Sequence, residues 1–237
     1  MSNSWFQFRA FRIEQDKCAM KVTTDACIQG AWTPIPGGAK SVLDIGAGTG
    51  LLSLMLAQRN RGLQIDAVEY DEDAAAQAAH NIASSAWEDR IEVLHADVRK
   101  HAAVEKYDLI ICNPPFYDNS LLSDKTQKNL ARHNVSLSKE ELAEAIVNNL
   151  AEGGYVSVLL PYTEYKLWET TAATFGLSAT EVLHVRHKPG ADIKRVIGIM
   201  SLNNTRACNT QELTIKNEDN QYTEHFRTLM SPFYLDL

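Results

Sequence analysis

Cysteine is scarce in this sequence and is not arranged in pairs. The chain of 237 residues contains four cysteines, Cys18, Cys27, Cys112 and Cys208, and none of them forms a C-x-x-C pair. A disulfide framework or a structural metal cluster would require closer or more regular spacing. We therefore expect reduced, partly buried thiols and no metal site.

Long apolar runs are absent as well. No stretch approaches the roughly 18 consecutive apolar residues that indicate a membrane span. Residues 1–16 contain charged side chains and lack the apolar core of a secretory signal. Together these absences predict a cytoplasmic protein with no membrane partner.

Positive charge is not in excess. The formal net charge is −7, whereas proteins that bind nucleic acid indiscriminately rely on cationic contacts with phosphates. An RNA partner would therefore have to meet a local basic patch. No feature of the sequence predicts a stable protein partner.

The composition is that of one globular domain. Hydrophobic residues make up 45% of the chain, which is enough to bury a substantial core. We expect a single domain over residues 1–237, in which residues 1–36 form a lead segment that packs on the rest. In the tail, residues 213–237, aromatic side chains recur at roughly helical spacing, which predicts core packing that closes the domain.

One glycine-rich pattern organises the chain. The apolar run Val42 to Ile45 is followed by Gly46, Gly48 and Gly50 and then by a second apolar run, Leu51 to Leu56. This order predicts a strand, a tight turn and a helix. Glycines permit positive φ and close approach of a ligand, and the helix N-terminus supplies free N–H groups. The turn is therefore predicted to hold a cofactor.

The spacing of these glycines distinguishes between cofactors. It is G-x-G-x-G, not the dinucleotide-binding G-x-G-x-x-G, and Asp44 precedes the first glycine by two positions. A carboxylate there would repel a pyrophosphate and suits a cationic ligand without phosphate. The stretch Asp44 to Gly50 resembles motif I of the class I S-adenosylmethionine (SAM) methyltransferases. The alternative is a glycine-rich turn that binds nothing.

Acidic residues follow the next two predicted strands. Glu69 ends the strand that begins at Gln64, about twenty positions past the glycines, where a carboxylate can accept hydrogen bonds from ribose hydroxyls. Asp97 follows the strand Ile91 to Leu94. By resemblance to the same family, Asp97 accepts a hydrogen bond from the adenine amine of the cofactor. It can instead cap a short helix over residues 98–104.

Thr24 and Asp25 precede a predicted helix that ends near Trp32. Either residue can cap that helix. The functional alternative is that Lys21 to Asp25 form one wall of the cofactor pocket. Both interpretations stay open for these residues.

The tetrapeptide Asn113-Pro114-Pro115-Phe116 follows a predicted strand at the edge where open parallel sheets bind ligands. Proline fixes φ and has no N–H, so the Pro114 carbonyl is presented rigidly, and the Asn113 side-chain oxygen is a second acceptor. Two acceptors would orient an amino group toward a methyl donor, which is catalysis by positioning. Phe116 would stack on a flipped-out adenine. A plain turn is the alternative.

Two groups of basic residues are candidates for an RNA surface. The first lies in the polar stretch 116–136 and contains Lys125, Lys128 and Arg132. The second lies in the connection between two predicted C-terminal strands and contains Arg186, Lys188, Lys194 and Arg195. For each group the alternative is an ordinary solvated surface.

Several segments together resemble the bacterial tRNA adenine-N6 methyltransferases that act on valine tRNA. These segments are Lys21–Asp25 with Gly30–Trp32, Asp44–Gly50, Asn113–Phe116, Tyr222–Glu224 and Phe233–Leu235. The resemblance implies a Rossmann-like α/β fold, with a seven-stranded sheet, helices on both faces and the last strand antiparallel. It also implies SAM as cofactor and methylation of the adenosine immediately 3′ of the anticodon.

The resemblance leaves alternatives. The Asn-Pro-Pro-aromatic motif also occurs in enzymes that methylate rRNA bases, DNA adenine or a glutamine of release factors. The rRNA and release-factor enzymes usually have an additional domain, for which this chain has no room. A SAM-binding RNA chaperone without catalysis is a further alternative, because a fold alone does not imply a function. The chain departs from the family at Ala26, where glycine is common.

Overall fold

A computed structural model of the chain describes residues 3–18, 20–114, 137–205 and 207–237. Its largest element is a mixed sheet. The strands of that sheet are β3 Ser41–Ile45, β4 Gln64–Glu69, β5 Ile91–His95, β6 Tyr107–Cys112, β7 Leu150–Pro161, β8 Leu177–Arg186, β9 Ile193–Leu202 and β10 Asn209–Thr214. A separate two-stranded sheet consists of β1 Trp5–Gln7 and β2 Arg12–Glu14. The α-helices in the described ranges are α1 Thr24–Trp32, α2 Leu51–Arg59, α3 Glu72–Ala83, α4 Lys139–Asn149, α5 Tyr162–Thr174 and α6 Glu224–Met230.

The main sheet has eight strands in the order β10-β8-β9-β7-β6-β3-β4-β5. Strand β3 pairs in parallel with β4 and β6, and the parallel pairing continues to β5 and β7. Strand β9, the seventh of this sheet along the chain, is antiparallel to both of its neighbours, β7 and β8. The predicted α/β fold is therefore confirmed.

Alternate residues of the central strands point to opposite faces of the sheet. In β6, Leu109 and Ile111 join one hydrophobic cluster, whereas Ile110 and Cys112 join a second one. The first cluster contains buried residues of α1, α2 and α6, and the second contains those of α4 and α5. Both faces are covered, and for that reason the central strands are continuous apolar runs that the sequence pattern could locate.

The sheet has one strand more than predicted. Strand β10 forms the edge beyond β8. Leu213 is its one buried residue, so β10 lacks the apolar run by which the other strands were recognised. The helix of the tail, α6, begins at Glu224. Phe226 and Phe233 of the tail are buried, as expected for packing that closes the fold.

The N-terminal lead segment contacts the C-terminal tail. Phe8 is fully buried in the first cluster, and the Arg9 amide donates a hydrogen bond to the Phe233 carbonyl at 2.8 Å. Asn81 on α3 holds the same segment, because its side chain bonds both the N–H and the carbonyl of Glu14. The lead segment is thereby fixed on the face of the sheet that α1 and α2 cover.

The described ranges contain no helix that is long and apolar enough to cross a membrane. Within the same ranges, no group of three or more His, Cys, Asp and Glu side chains is arranged to hold a metal ion.

Candidate active site

The glycine loop between β3 and α2 has the backbone conformation that its sequence predicts. Gly46, Gly48 and Gly50 have φ values of +72°, +54° and +78°, which side-chain-bearing residues adopt only with strain. A Cβ added at Gly46 would meet no described heavy atom within 4 Å, whereas one at Gly50 would lie 3.4 Å from Ile82 Cδ1. Gly46 therefore borders open space that a ligand can enter, and Gly50 allows the loop to pack on α3.

The predicted site residues lie at one edge of the sheet. Ile45 is aligned with Val68 on β4 and with Cys112 on β6, and Glu69 is aligned with His95 on β5. Because these strands are parallel, their carboxyl ends meet at the same edge. The glycine loop, Glu69, Asp97 and Asn113 follow those ends. The fold thus brings the glycine loop, Glu69, Asp97 and Asn113 to one edge of the sheet.

Glu69 is bonded to the glycine loop. Its Oε2 accepts a hydrogen bond from the Gly48 amide at 2.8 Å, and its Oε1 accepts one from the Asp71 amide at 2.9 Å. Each carboxylate oxygen has a second lone pair for a ligand. The position suits the predicted contact with ribose hydroxyls, and that role stays a prediction.

Asp44 is fully buried at the end of β3. Its Oδ2 accepts hydrogen bonds from the amide and the hydroxyl of Ser53, at 3.1 and 2.7 Å. Its Oδ1 is buried and has no hydrogen-bond partner among the described residues. Burial raises the pKa of Asp44 to about 7, against the opposing bonds from Ser53, and the negative charge of Glu69 adds to the rise. The carboxylate would therefore be stabilised by a nearby cation.

These features fit the cofactor predicted from the sequence. SAM carries positive charge and no phosphate, and this edge offers a carboxyl oxygen without a partner at Asp44 and a second acid at Glu69. The open space at Gly46 gives a ligand access to the loop. The residues present therefore suit SAM better than a dinucleotide.

Asp97 has a structural role in this arrangement. Its side chain accepts a hydrogen bond from the Arg99 amide at 3.1 Å and caps the short 3-10 turn Val98–Lys100. It also pairs with the Arg99 guanidinium at 2.7 Å, and these bonds lower the pKa of Asp97. The capping alternative is thus confirmed, although the turn is shorter than the helix predicted there. The contact with adenine stays a prediction.

The cap of α1 differs from the prediction. Thr23, not Thr24 or Asp25, caps the helix, because Thr23 Oγ1 accepts a hydrogen bond from the Ala26 amide at 3.2 Å. Asp25 instead forms an ion pair with Arg195 at 3.2 Å. Burial raises the pKa of Asp25, and Arg195 partly offsets that rise. The predicted RNA contact at Arg195 thus competes with an ion pair inside the protein.

The second basic group lies at the same edge as Asn113. Strand β8 runs parallel to β7, since β9 is antiparallel to both, so β8 also ends at the carboxyl edge. At its end, Arg186 pairs with Glu212 at 3.2 Å and donates to the Ala191 carbonyl. Lys194 lies 3.8 Å from Asp192 and is largely exposed. Arg186 is therefore more engaged in contacts within the protein than Lys194.

Asn113 and Pro114 follow β6 directly and are half-buried. The other predicted residues of this part of the chain, Pro115, Phe116, Lys125, Lys128 and Arg132, lie outside the described residues. Their predicted roles are neither supported nor contradicted by the structure.

The sequence patterns missed a buried amide beside Asn113. Gln29 on α1 is fully buried, and its Nε2 donates hydrogen bonds to the carbonyls of Cys112 at 3.0 Å and of Ser157 at 3.2 Å. No motif includes Gln29. One sequence signal was present, namely a glutamine within an otherwise apolar stretch of a helix, but that signal does not identify its partners.

Known proteins match this chain over nearly its whole length. Residues 33–154 match the family model of the methyltransferase small domain. A protein of Flavobacterium psychrophilum is 42% identical over 98% of this chain and 100% of its own length. One of Bacteroides thetaiotaomicron is 41% identical over 100% of both chains. Both are named tRNA1(Val) (adenine(37)-N6)-methyltransferase.

A solved structure confirms the fold independently. A predicted O-methyltransferase from Agrobacterium tumefaciens superposes with a TM-score of 0.68 at 19% sequence identity. The match covers 88% of this chain and 96% of the other. At that identity the likeness extends to the fold alone.

Proposed function

Since this chain belongs to the methyltransferase small domain family and to the family of tRNA1(Val) (adenine(37)-N6)-methyltransferases, we propose that it methylates N6 of adenine 37 in valine tRNA. The observation that carries this proposal is the position of Asn113 and Pro114. They follow β6 directly, at the sheet edge that also bears the glycine loop. Adenine 37 is the nucleotide immediately 3′ of the anticodon.

SAM is the proposed cofactor, and when bound it supplies a methyl group activated on a sulfonium. We assign its binding to the loop at Gly46, Gly48 and Gly50, with Glu69 and Asp44 as the acidic partners. Thr24, Asp25 and Asp97 remain proposed neighbours of this pocket. The buried, unpartnered Oδ1 of Asp44 supports a positively charged occupant.

The chemistry assigned to the protein is to hold the target amino group. Asn113 Oδ1 and the Pro114 carbonyl are two acceptors for the two N–H bonds of the adenine amine. Their bonds would orient the nitrogen lone pair toward the methyl donor, which lowers the barrier by positioning and by preorganised dipoles. No general base is needed before transfer, because the planar amine becomes acidic only once it is methylated. Phe116 is proposed to stack on the flipped-out base.

The alternatives are less well supported. Methylation of rRNA or of a release-factor glutamine is disfavoured, because relatives that match the full chain share one tRNA-specific name. A chaperone that only binds SAM should tolerate Asn113→Ala. The RNA surface is proposed to include Lys188 and Lys194, and the cytoplasm stays the proposed location because tRNA is the proposed substrate.

Mass spectrometry of digested nucleosides tests this function. Unmodified valine tRNA would be incubated with the protein and SAM, beside a matched transcript in which adenine 37 is replaced by guanine. Ribosomal RNA and a release factor would be incubated in parallel. N6-methyladenosine is expected in the first tRNA only. Methylation of the guanine-37 transcript at another adenine would contradict the site, and transfer only to rRNA or protein would contradict the substrate.

A further inference from the structure

We propose, on the basis of the proposed function, that Gln29 is a positioning residue that sets the orientation of Asn113. Gln29 lies on α1, 83 positions before Cys112, and its side chain is completely buried. It contacts the last residue of β6, directly before Asn113.

The contacts of Gln29 join two adjacent strands. Its Nε2 lies 3.0 Å from the Cys112 carbonyl on β6, 3.2 Å from the Ser157 carbonyl on β7 and 3.3 Å from Ser157 Oγ. Thr33 Oγ1 lies 2.7 Å from the same Ser157 hydroxyl. Ser157 and Thr33 are both fully buried. Two carbonyl acceptors determine which end of the Gln29 amide faces them, because only its NH₂ group donates.

The bond to Cys112 acts on Asn113 through the peptide plane. The Cys112 carbonyl and the Asn113 nitrogen belong to one planar group, so fixing the oxygen also fixes the direction of the bond into Asn113. On the other side, Pro114 restricts the backbone of the residue before it to extended conformations. The backbone of Asn113 is therefore constrained from both sides, which fixes the direction of its Cα–Cβ bond.

The helix that carries Gln29 is itself held in place. Arg59 on α2 donates to the carbonyls of Gly30 at 2.8 Å and of Thr33 at 2.7 Å. A Cβ on Gly30 would lie only 2.6 Å from Met55 Sδ, so the glycine permits close packing of α1 on α2. Helix α2 begins directly after the glycine loop. Helix α1, which carries Gln29, thus connects α2, the helix after the glycine loop, to Asn113.

Among the described residues, one end of the Gln29 amide is paired and the other is not. Its Oε1 is buried and has no hydrogen-bond partner within the described ranges. A buried carbonyl without a partner lowers the stability of a fold, so the amide at this position has a cost that the hydrogen bonds of its NH₂ group must offset. A role in aiming Asn113 gives a reason for an amide at this position.

Gln29→Met tests the proposal, because methionine has a similar length and no donor. We expect kcat to fall by about 10- to 100-fold, as for a misplaced reacting group. KM for tRNA and Kd for SAM should change by no more than about twofold, because the binding groups are not altered. In Gln29→Glu, a buried carboxylic acid that stays neutral retains one O–H donor. Its kcat should therefore lie between those of the wild type and Gln29→Met.

A matched control separates positioning from folding. Asn149 is another fully buried amide, which bonds the His101 and Ala145 carbonyls and the Ala103 amide. It lies at the C-terminal end of α4, directly before β7 begins and away from the carboxyl edge. Asn149→Leu should lower thermal stability to a similar extent and leave the kcat of the folded protein unchanged.

A double-mutant cycle with Asn113→Ala shows whether Gln29 acts on catalysis through Asn113 or independently of it. If Gln29 acts through Asn113, Gln29→Met should lower the single-turnover rate by no more than about twofold in the Asn113→Ala background. If Gln29→Met lowers the single-turnover rate as much in the Asn113→Ala background as in the wild type, the proposal is overturned. An unchanged kcat in Gln29→Met would overturn it as well. Should Gln29→Met fail to fold, the same cycle run with Gln29→Glu decides the question.

A structural measurement keeps this inference distinct from the proposed function. A crystal structure of Gln29→Met should show the Asn113 side chain displaced or in more than one conformation. An unchanged Asn113 would refute the positioning role whatever the substrate is. If the wild type methylates only rRNA or protein, the proposed tRNA function fails, and the ranking of the Gln29 variants is measured on that substrate instead.

Discussion

The buried carboxyl of Asp44 should make the stability of the cofactor-free protein fall as the pH rises. Its pKa is about 7 in the fold and 3.8 for an ordinary Asp side chain. Between these values the folded state holds a proton that the unfolded state has lost. The stabilisation is thus fully present below pH 3.8 and is lost as the pH rises through about 7.

The magnitude follows from the two pKa values. Each unit corresponds to about 1.4 kcal/mol, so the whole difference is worth at most about 4 kcal/mol. Between pH 5 and pH 8 we expect about 2 to 3 kcal/mol of this to be lost. Asp44→Asn abolishes the effect, because the amide keeps an acceptor for Ser53 and carries no charge at any pH. The stability of the variant relative to the wild type should therefore increase by that amount over this range.

Urea unfolding of both proteins at several pH values measures this difference. Histidines and other groups that titrate in the same range are common to both proteins and cancel. Asp108→Asn is the matched control. Hydrogen bonds from the Lys40 and Ser41 amides lower the pKa of Asp108, so it is ionised in both states above pH 5. Parallel stability curves for the wild type and Asp44→Asn would refute the proposed burial effect.

Three further predictions concern ligands. SAM should bind more tightly as the pH rises from 5 to 7, and its binding should release a proton. Calorimetry in buffers of different ionisation enthalpy detects this proton release, which Asp44→Asn should lose. Asn113→Ala should lower methyl transfer by at least about a hundredfold while calorimetry shows SAM affinity largely kept, and an equal loss of SAM binding would contradict the assigned role. Reversing the charge of Lys188 and Lys194 should weaken tRNA binding and flatten the slope of log affinity against log salt; an unchanged slope would remove both residues from the RNA surface.

Short-range patterns were sufficient for most of the fold. Ser138 and Glu141 form a capping box, a pattern of neighbouring residues, that starts α4. The apolar strands β3, β4 and β5 were recognised from patterns of the same short range. These features depend on neighbouring residues and on which side chains must leave water. The family was likewise predicted from motifs that are local in sequence, and the comparisons confirm it.

Other features were misjudged because their cause lies in tertiary packing. Strand β10 forms because the edge of β8 is available for pairing, although its own sequence is mainly polar. Thr23 is the cap of α1, and Asp25 is drawn into an ion pair with Arg195 from a distant strand. Neither partner of that pair is indicated by the residues adjacent to it in sequence.

The sequence by itself determined the class of chemistry. Three alternating glycines permit a turn with positive φ and the close approach of a ligand. Asn113 with Pro114 presents two acceptors wherever it lies, because those properties belong to the residues and to their immediate backbone. Tertiary structure alone decided the environment of these groups. The raised pKa of Asp44 results from complete burial, and the contact of Gln29 with Cys112 spans 83 positions. Burial and long-range contacts arise only when the whole chain packs, so no local pattern encodes them.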